Sequence, residues 1–599
     1  MRCFCQVQSG QNYHVIAATG QSLSTGCQGY ASGQVTSGSP YSNLSLSPGG
    51  TAIEGTNGAT VATISQASGP APASPTISSG GSGYTTPPLV IVTGDGTGGA
   101  YTANLTGGVV SSLTRTSAGS GYTTVSIYMT WPPSAPNARQ LDTAPLIALA
   151  PTWACNNGGG DSTDPSQLPQ EYPSLSAVNQ LTYMTGGSTG LKYILALHGV
   201  SGRLYGTSTS LGGIGGPTDV PQPSPNPSFW NWTKQLSAIQ TAVTAASGTY
   251  QTDAVILTHG ESDGAAYNWL YDQNLNHLQW DYETQVATAT GRIGTLPLFI
   301  DQANSWGFYH GAGATPTSEL RMWTAAENNP GRIYLIGPIY QFPSGALGDG
   351  VHKSPAGYRA MGELYGKAMY QVLVQHQYWT PVMPKSITVS GSTITAQFFV
   401  PAPPLQFDTT TVSAQPNKGF EFTDRLTAVV YRITQASGPA PASPTIAFGG
   451  SGYTNAPTVT INGCSGAAYT ANLTNGIVTS LTRTSAGSGC VTIDILFSTP
   501  APSVSISSVT ISGPDTVTIT LSGTPTGPSP TLRYAYTAPV AVAGGEGNLK
   551  DSDTSTGRTG SALFDWCVTF SAPIPFMSNL LRRVPGGGSS AVFPAGVIQ

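Results

Sequence analysis

The chain has 599 residues, too many for one hydrophobic core, and Gly (74) and Pro (47) make up a fifth of it. Charged residues are 8%, against ~25% in ordinary soluble domains, and the net charge is only −5. Coiled coils lack the charged faces they need, charge-driven disorder is excluded by the 39% apolar content, and nucleic-acid binding lacks a basic footprint beyond Arg582-Arg583. What remains is a neutral Gly/Ser/Thr-rich β-protein, more typical of exposed fibres, spikes and secreted enzymes than of cytosolic metabolism.

The first six residues, Met1 to Gln6, form no apolar stretch of signal-peptide length, so ordinary secretion is not expected. No run approaches the ~18 apolar residues of a membrane span, so no membrane insertion is expected. Cys3-x-Cys5 has no second half for a zinc site, and neither a metal nor a cofactor is anticipated.

A first apolar strand over Tyr13–Ala18 runs into Gly20-Gln21-Ser22-Leu23. A segment of another kind follows. Residues 64–85 recur at 433–454 with 19 of 22 positions identical, and 100–121 recur at 468–489 with the same score. Short alternating runs between Gly-Ser-Gly turns predict small β-units. Two separated copies are insertions into a host rather than a stacked solenoid. The second copy gains Cys464 and Cys490, the latter where the first copy has Tyr122; a local disulfide and two buried thiols are equally compatible with this.

Between and beyond the copies, apolar β-branched runs occur at Tyr193–Leu197, Ala254–Thr258, Leu296–Asp301 and Arg332–Ile336. Helical patterns separate the later ones, at Trp230–Ala246, Tyr267–Thr290 and Thr317–Asn328, and a last helix runs from Ser354 to about His376. Continuous apolar strands alternating with helices predict a parallel sheet covered on both faces. After Pro381 short alternating strands predict a C-terminal β-sandwich holding the second copy.

Ligands of such a sheet bind beyond the C-terminal ends of its strands. Placed there are Ser22, His198-Gly199-Val200-Ser201-Gly202, His259-Gly260-Glu261-Ser262-Asp263, and Asp349-x-x-His352. With 18 Asp and 7 His in the chain, chance gives about 0.2 Asp-x-x-His motifs. A serine, glycine-rich turns and an Asp-x-x-His converging on one edge are the layout of a nucleophilic hydrolase.

Gly20-Gln21-Ser22, Gly260-Glu261-Ser262-Asp263 and Asp349-x-x-His352 followed by Ser-Pro-Ala-Gly-Tyr resemble the blocks of the SGNH hydrolase superfamily. Within it they resemble the carbohydrate acetylesterases of the sialate O-acetylesterase-like branch. The first block is a Gly-Gln-Ser variant of the commoner Gly-Asp-Ser. The resemblance covers residues 1–50 and 130–380, and Gly547–Ser552 more weakly resembles β-domains appended to such esterases. It implies an α/β fold: a flavodoxin-like three-layer α/β/α core with two inserted small β-modules and a C-terminal β-sandwich. The expected division is 1–55 and 130–380 for the esterase domain, 56–129 for module 1, and 381–430 and 499–576 for the β-domain. Module 2 takes 431–498 and the tail 577–599.

By this resemblance Ser22 is the nucleophile, His352 its general base and Asp349 the residue that orients the imidazole. The oxyanion donors are the Ser22 N–H, the Gly202 N–H (with Gly199 as the fallback) and a third-block side chain. The relatives carry Gln before Gly-Glu-Ser-Asp; here His259 stands there and is assigned the donor role, needing the right tautomer. Gln21, Glu261, Asp263 and Trp306 are expected at the substrate, with loop-fixing roles as the other reading for Glu261 and Asp263. His198 is read as a packed core histidine. Among the aromatics near strand ends and helix starts, Trp230, Trp232, Trp269, Trp280, Trp306 and Tyr309 are candidates to stack on sugar.

The expected function is therefore a metal-free serine esterase removing acetyl groups from a bacterial surface polysaccharide: capsule, exopolysaccharide or lipopolysaccharide. The Gly-Gly-Ser-Gly-Tyr-Thr repeats resemble modules of phage tail proteins. They imply a virion tail spike or fibre, of a kind often trimeric and docked on other tail proteins, that needs no signal peptide. A non-catalytic glycan-binding adhesin and a bacterial esterase exported by another route are the alternatives.

Overall fold

The structure is a computed structural model. It describes residues 12–24, 44–46, 52–53, 60–77, 87, 90–94, 97–107, 109–129, 138–139, 146–148, 172–187, 191–199, 202–206, 213–216, 227–245, 247–344, 349–424, 431–444, 453, 455–497, 502–527, 529–539 and 543–583.

Five parallel strands form the centre: β1 (Asn12–Gly20), β2 (Lys192–Leu197), β3 (Thr249–Thr258), β4 (Leu298–Gln302) and β5 (Ile333–Pro338). Their spatial order is β2-β1-β3-β4-β5, and Leu44–Leu46 and Leu146–Ala148 extend the sheet beyond β2. The order reverses at β1, so the flanking crossovers lie on opposite faces and a crevice opens at the strands' C-terminal ends. Every residue of β4 and β5 is buried, as a sheet covered on both faces requires.

One face carries α2 (Pro227–Ala245), α4 (Tyr271–Thr290) and α6 (Ser318–Asn328), which pack Trp232, Tyr282 and Met322 against the strands. The other carries α1 (Pro173–Met184) and α7 (Pro355–Met369), which contribute Leu175, Val178, Met361 and Leu364. Two short helices follow strand ends: α3 (Glu261–Ala265) after β3 and α5 (Trp306–His310) after β4. The helix expected over Tyr267–Thr290 starts later, as α4 from Tyr271; α3 precedes it without having been expected, and Tyr267 stands between the two at a φ of +51°. The sequence also gave no warning of α1 or α5.

Each repeat copy folds as a three-stranded sheet and a hairpin. In the first, Thr60–Gly69, Val90–Gly94 and Tyr122–Met129 form the sheet, and Thr97–Thr106 with Val109–Ser120 the hairpin. The second repeats this with Tyr431–Gly438, Val459–Asn462, Cys490–Phe497, Ser465–Thr474 and Ile477–Ser488. Each has its own small core. Matching anchors hold them: Tyr101 Oη donates to Pro72 O at 2.5 Å and Tyr469 Oη to Pro441 O at 2.5 Å, while Arg115 and Arg483 donate to Ala71 O and Ala440 O. One anchor differs: Tyr122 Oη accepts from Gly99 N at 3.0 Å, whereas Cys490 bonds Cys464 in a disulfide. The ends of each copy meet, with Thr60 opposite Tyr128 and Tyr431 opposite Ile495.

The C-terminal region packs a five-stranded antiparallel sheet, centred on Thr393–Phe399, against a three-stranded one centred on Thr531–Tyr534. Its core is continuous with that of the α/β sheet: Tyr340 packs edge-on against Trp566 and donates to Cys567 O at 2.7 Å. Gln302, at the end of β4, donates to Thr569 O at 2.8 Å and accepts from Thr569 N at 2.7 Å. Among the described residues no helix is long and apolar enough to cross a membrane.

Candidate active site

At the end of β1 the chain turns back sharply. Gly20 has a φ of +137°, and a Cβ there would lie 1.9 Å from Thr258 O, so only glycine fits. Gln21 N still donates to Thr258 O at 3.1 Å, and Ser24 N closes the turn on Gln21 O at 2.9 Å. Ser22 projects from this turn. At the far end of the sheet, beyond β5, Asp349 Oδ1 accepts from the backbone N–H groups of Val351 and His352, both at 2.9 Å. That clamp fixes the loop just before α7, whose start is set by Pro355 and by Ser354 Oγ accepting from Gly357 N at 3.1 Å.

Residues 330 apart are thereby joined in one hydrogen-bonded chain. His352 Nε2 lies 2.9 Å from Ser22 Oγ, and His352 Nδ1 lies 2.7 Å from Asp349 Oδ2. Asp349 can only accept, so Nδ1 carries the proton and Nε2 faces the serine as an acceptor. Burial pushes the Asp349 carboxyl up, but the His352 side-chain and backbone hydrogen bonds outweigh it and hold it well below the usual carboxylate range. His352 and Asp349 each keep 21% exposure, open enough for a reactant to reach them.

The remaining expected residues fall in other places. His259 is buried; its Nε2 donates to Arg203 O at 2.9 Å and its Nδ1 accepts from Tyr271 Oη at 2.6 Å. Both ring nitrogens are spent, and burial lowers its pKa to about 4, so the imidazole braces a loop instead of donating to an oxyanion. Gln21, Glu261, Asp263 and Trp306, expected at the substrate, are all buried. Gln21 Nε2 donates to Glu261 Oε2, tying the serine turn to α3. Asp263 accepts from Tyr205 N at 2.8 Å and Asn268 Nδ2 at 2.6 Å, the loop-fixing alternative. Trp306 Nε1 donates to Tyr536 O at 3.1 Å in the β-domain.

Of the two second-block glycines, Gly199 is packed against the serine turn: a Cβ there would lie 2.1 Å from Ser24 Oγ. Gly202, with a φ of +69°, has open space beside its α-carbon. His198 is a core residue, stacked on Trp232 and bonded to Tyr282 Oη at 2.6 Å. Val200, Ser201 and the side chain of Trp230 lie outside the described residues.

Sequence reasoning named Glu261 but missed the buried charged residues that accompany it behind the serine. Glu261, Asp301, Glu319 and Lys353 are all buried there. Burial first, then the neighbouring carboxylates, pushes Glu261 up, and burial pushes Glu319 up to about 7. Burial lowers Lys353 to about 8 against the opposing pull of Glu261, Asp301, Glu546 and Asp349. Scattered over 92 positions of sequence, these residues share no motif.

Elsewhere, among the described residues, Asp551, Asp553 and Asp565 bring carboxylate oxygens within 4.8 Å of one another. Lys367 Nζ already supplies their positive charge, 2.6 Å from Asp553 and 2.7 Å from Asp565.

No family model matches the chain, and no curated protein matches it. Among solved structures it is similar to a carbohydrate acetylesterase from Xanthomonas citri, at 12% identity and a TM-score of 0.38, over 70% of this chain and 71% of that one. It is also similar to an Arabidopsis thaliana protein (11%, 0.25, over 35% and 73%) and to NanS (11%, 0.23, over 55% and 79%). Likeness this distant says nothing about chemistry, which has to come from the geometry around Ser22.

Proposed function

We propose that the chain is a serine esterase that removes O-acetyl groups from a carbohydrate. The observation that carries this is the chain Ser22 Oγ–His352–Asp349, with both its distances within hydrogen-bond range. A serine hydroxyl is a weak nucleophile until a base takes its proton. His352 Nε2 takes it as Ser22 Oγ attacks the acetyl carbonyl, and Asp349 stabilises the imidazolium that forms. The tetrahedral oxyanion is held by the Ser22 N–H and the Gly202 N–H, each such donor being worth about 3–4 kcal/mol. Collapse expels the sugar alkoxide, which takes the proton from His352, and leaves acetyl on Ser22. Water activated by the same imidazole then releases acetate.

The acetyl and carbohydrate specificity follows from the resemblance of the three sequence blocks. A bacterial surface polysaccharide as substrate, and a phage tail spike or fibre as the setting, are supported by the low charge and the Gly-Gly-Ser-Gly-Tyr-Thr repeats. The test is acetate release from p-nitrophenyl acetate and from acetylated bacterial polysaccharide, with Ser22→Ala beside the wild type. Equal rates in the two would sink the esterase; polysaccharide binding without release would make it an adhesin.

A further inference from the structure

We propose that Phe308 and Tyr309 form the platform on which the sugar ring of the ester rests, a specificity element that builds on the esterase reading. The triad acts on the ester carbonyl and does not recognise the alcohol, so selectivity for a carbohydrate needs a surface that meets the ring. Sugar rings carry apolar C–H faces that suit an aromatic side chain with a polar tip.

The other expected aromatics are placed for different tasks. Trp232 and Trp306 are buried, Trp269 lies under Arg321 at 5.7 Å, and Trp280, on α4, lies under Arg332 at 5.7 Å. By contrast, α5 leaves the sheet edge from β4, between the strands that deliver α3 and the Asp349-His352 loop. Its Phe308 and Tyr309 are 44% and 39% exposed, with ring centroids 5.0 Å apart in an edge-to-face pair. Tyr309 also lies within electrostatic reach of the site: packing first, then the Glu261, Asp349 and Glu319 carboxylates, push its phenol up.

The helix that presents them is held on three sides. His310 Nε2 donates to Gly264 O of α3 at 3.0 Å and its ring stacks on Tyr267 at 4.2 Å. Trp306 anchors the start of α5 on Tyr536 O. Beyond its end, Gly313 N donates to Ala538 O and Ala538 N to Ala314 O, both at 2.9 Å. Two exposed aromatic rings on so constrained a turn lose little freedom when a ligand arrives.

The experiment compares Tyr309→Ala, Phe308→Ala and Tyr309→Trp on p-nitrophenyl acetate, glucose pentaacetate and acetylated xylan. The ratio of kcat/KM on the sugar esters to that on p-nitrophenyl acetate should fall about tenfold in Tyr309→Ala, mainly through KM, and recover in Tyr309→Trp. An unchanged ratio overturns the platform. Binding is measured separately by calorimetry, with acetylated xylo-oligosaccharide and the Ser22→Ala chain. Loss of about tenfold in affinity on adding Tyr309→Ala supports the platform even if Ser22 proves not to be the nucleophile. Equal affinity, or no binding at all, overturns it whatever Ser22 does.

Discussion

Behind the cleft, the α/β core buries Glu261, Asp263, Asp301, Glu319 and Lys353 together with His198 and His259. In the two repeat modules, among the described residues, every buried side chain is Ala, Val, Leu, Ile, Tyr or half-cystine. Burying a titratable group costs free energy unless partners repay it, and a fold tolerates that cost where it needs set positions or proton affinities. The modules meet no such demand. They keep their polar atoms on the surface and hold shape with β-ladders and a few side-chain anchors. Chemistry and scaffold are thus separated within one chain.

That separation can be broken at single residues. Ser22→Ala should lower kcat by about 10⁴ on p-nitrophenyl acetate while the melting curve stays in place. Asp349→Asn should lower kcat by on the order of 10²–10⁴, because the amide offers no charge to the imidazolium and favours the wrong tautomer. In the modules the effects should be on stability alone. Cys490→Ser opens a disulfide spanning 26 residues and should destabilise module 2 by about 3 kcal/mol, read by limited proteolysis, with turnover unchanged.

A subtler contrast is in pH. Glu319 is pushed up to about 7 in the fold from an ordinary 4.5, so across that window the folded chain holds a proton that the unfolded chain has released. Stability should therefore fall as pH rises from about 4.5 to about 7, and Glu319→Gln should flatten the slope of Tm against pH. The smallest effect is expected from Tyr122→Phe, which leaves the Gly99 N–H without its acceptor and should cost module 1 about 1 kcal/mol.

The β1 to β5 runs were readable in the sequence because strands buried on both faces are almost wholly apolar. Ser22 was readable because its block directly follows β1, and Asp349 and His352 because their Asp-x-x-His block stands just before the Ser-Pro start of α7; the structure brings the three together. Helix α1 was not readable. Pro173 through Thr182 are buried all round, including Ser174, Asn179 and Gln180, so no polar face alternates with an apolar one. It packs so closely on α7 that a Cβ at Gly362 would lie 2.2 Å from Pro173 O. The surroundings of Trp306 and His259 were not readable for a related reason. Their positions after strands are visible in sequence, but the partners that engage them, Tyr536 O for the one and Arg203 O and Tyr271 for the other, are set by tertiary packing.

The meeting of Thr60 with Tyr128, and of Tyr431 with Ile495, has a consequence for how such a chain can change. Because each module's own ladder joins its two ends, the host experiences some seventy inserted residues as a single tight surface turn. Little loop-closure entropy falls on the host, so a module can enter or leave a surface loop by recombination without retuning the sheet beneath. The unit is portable, and its two near-identical copies in one chain are what portability leaves behind.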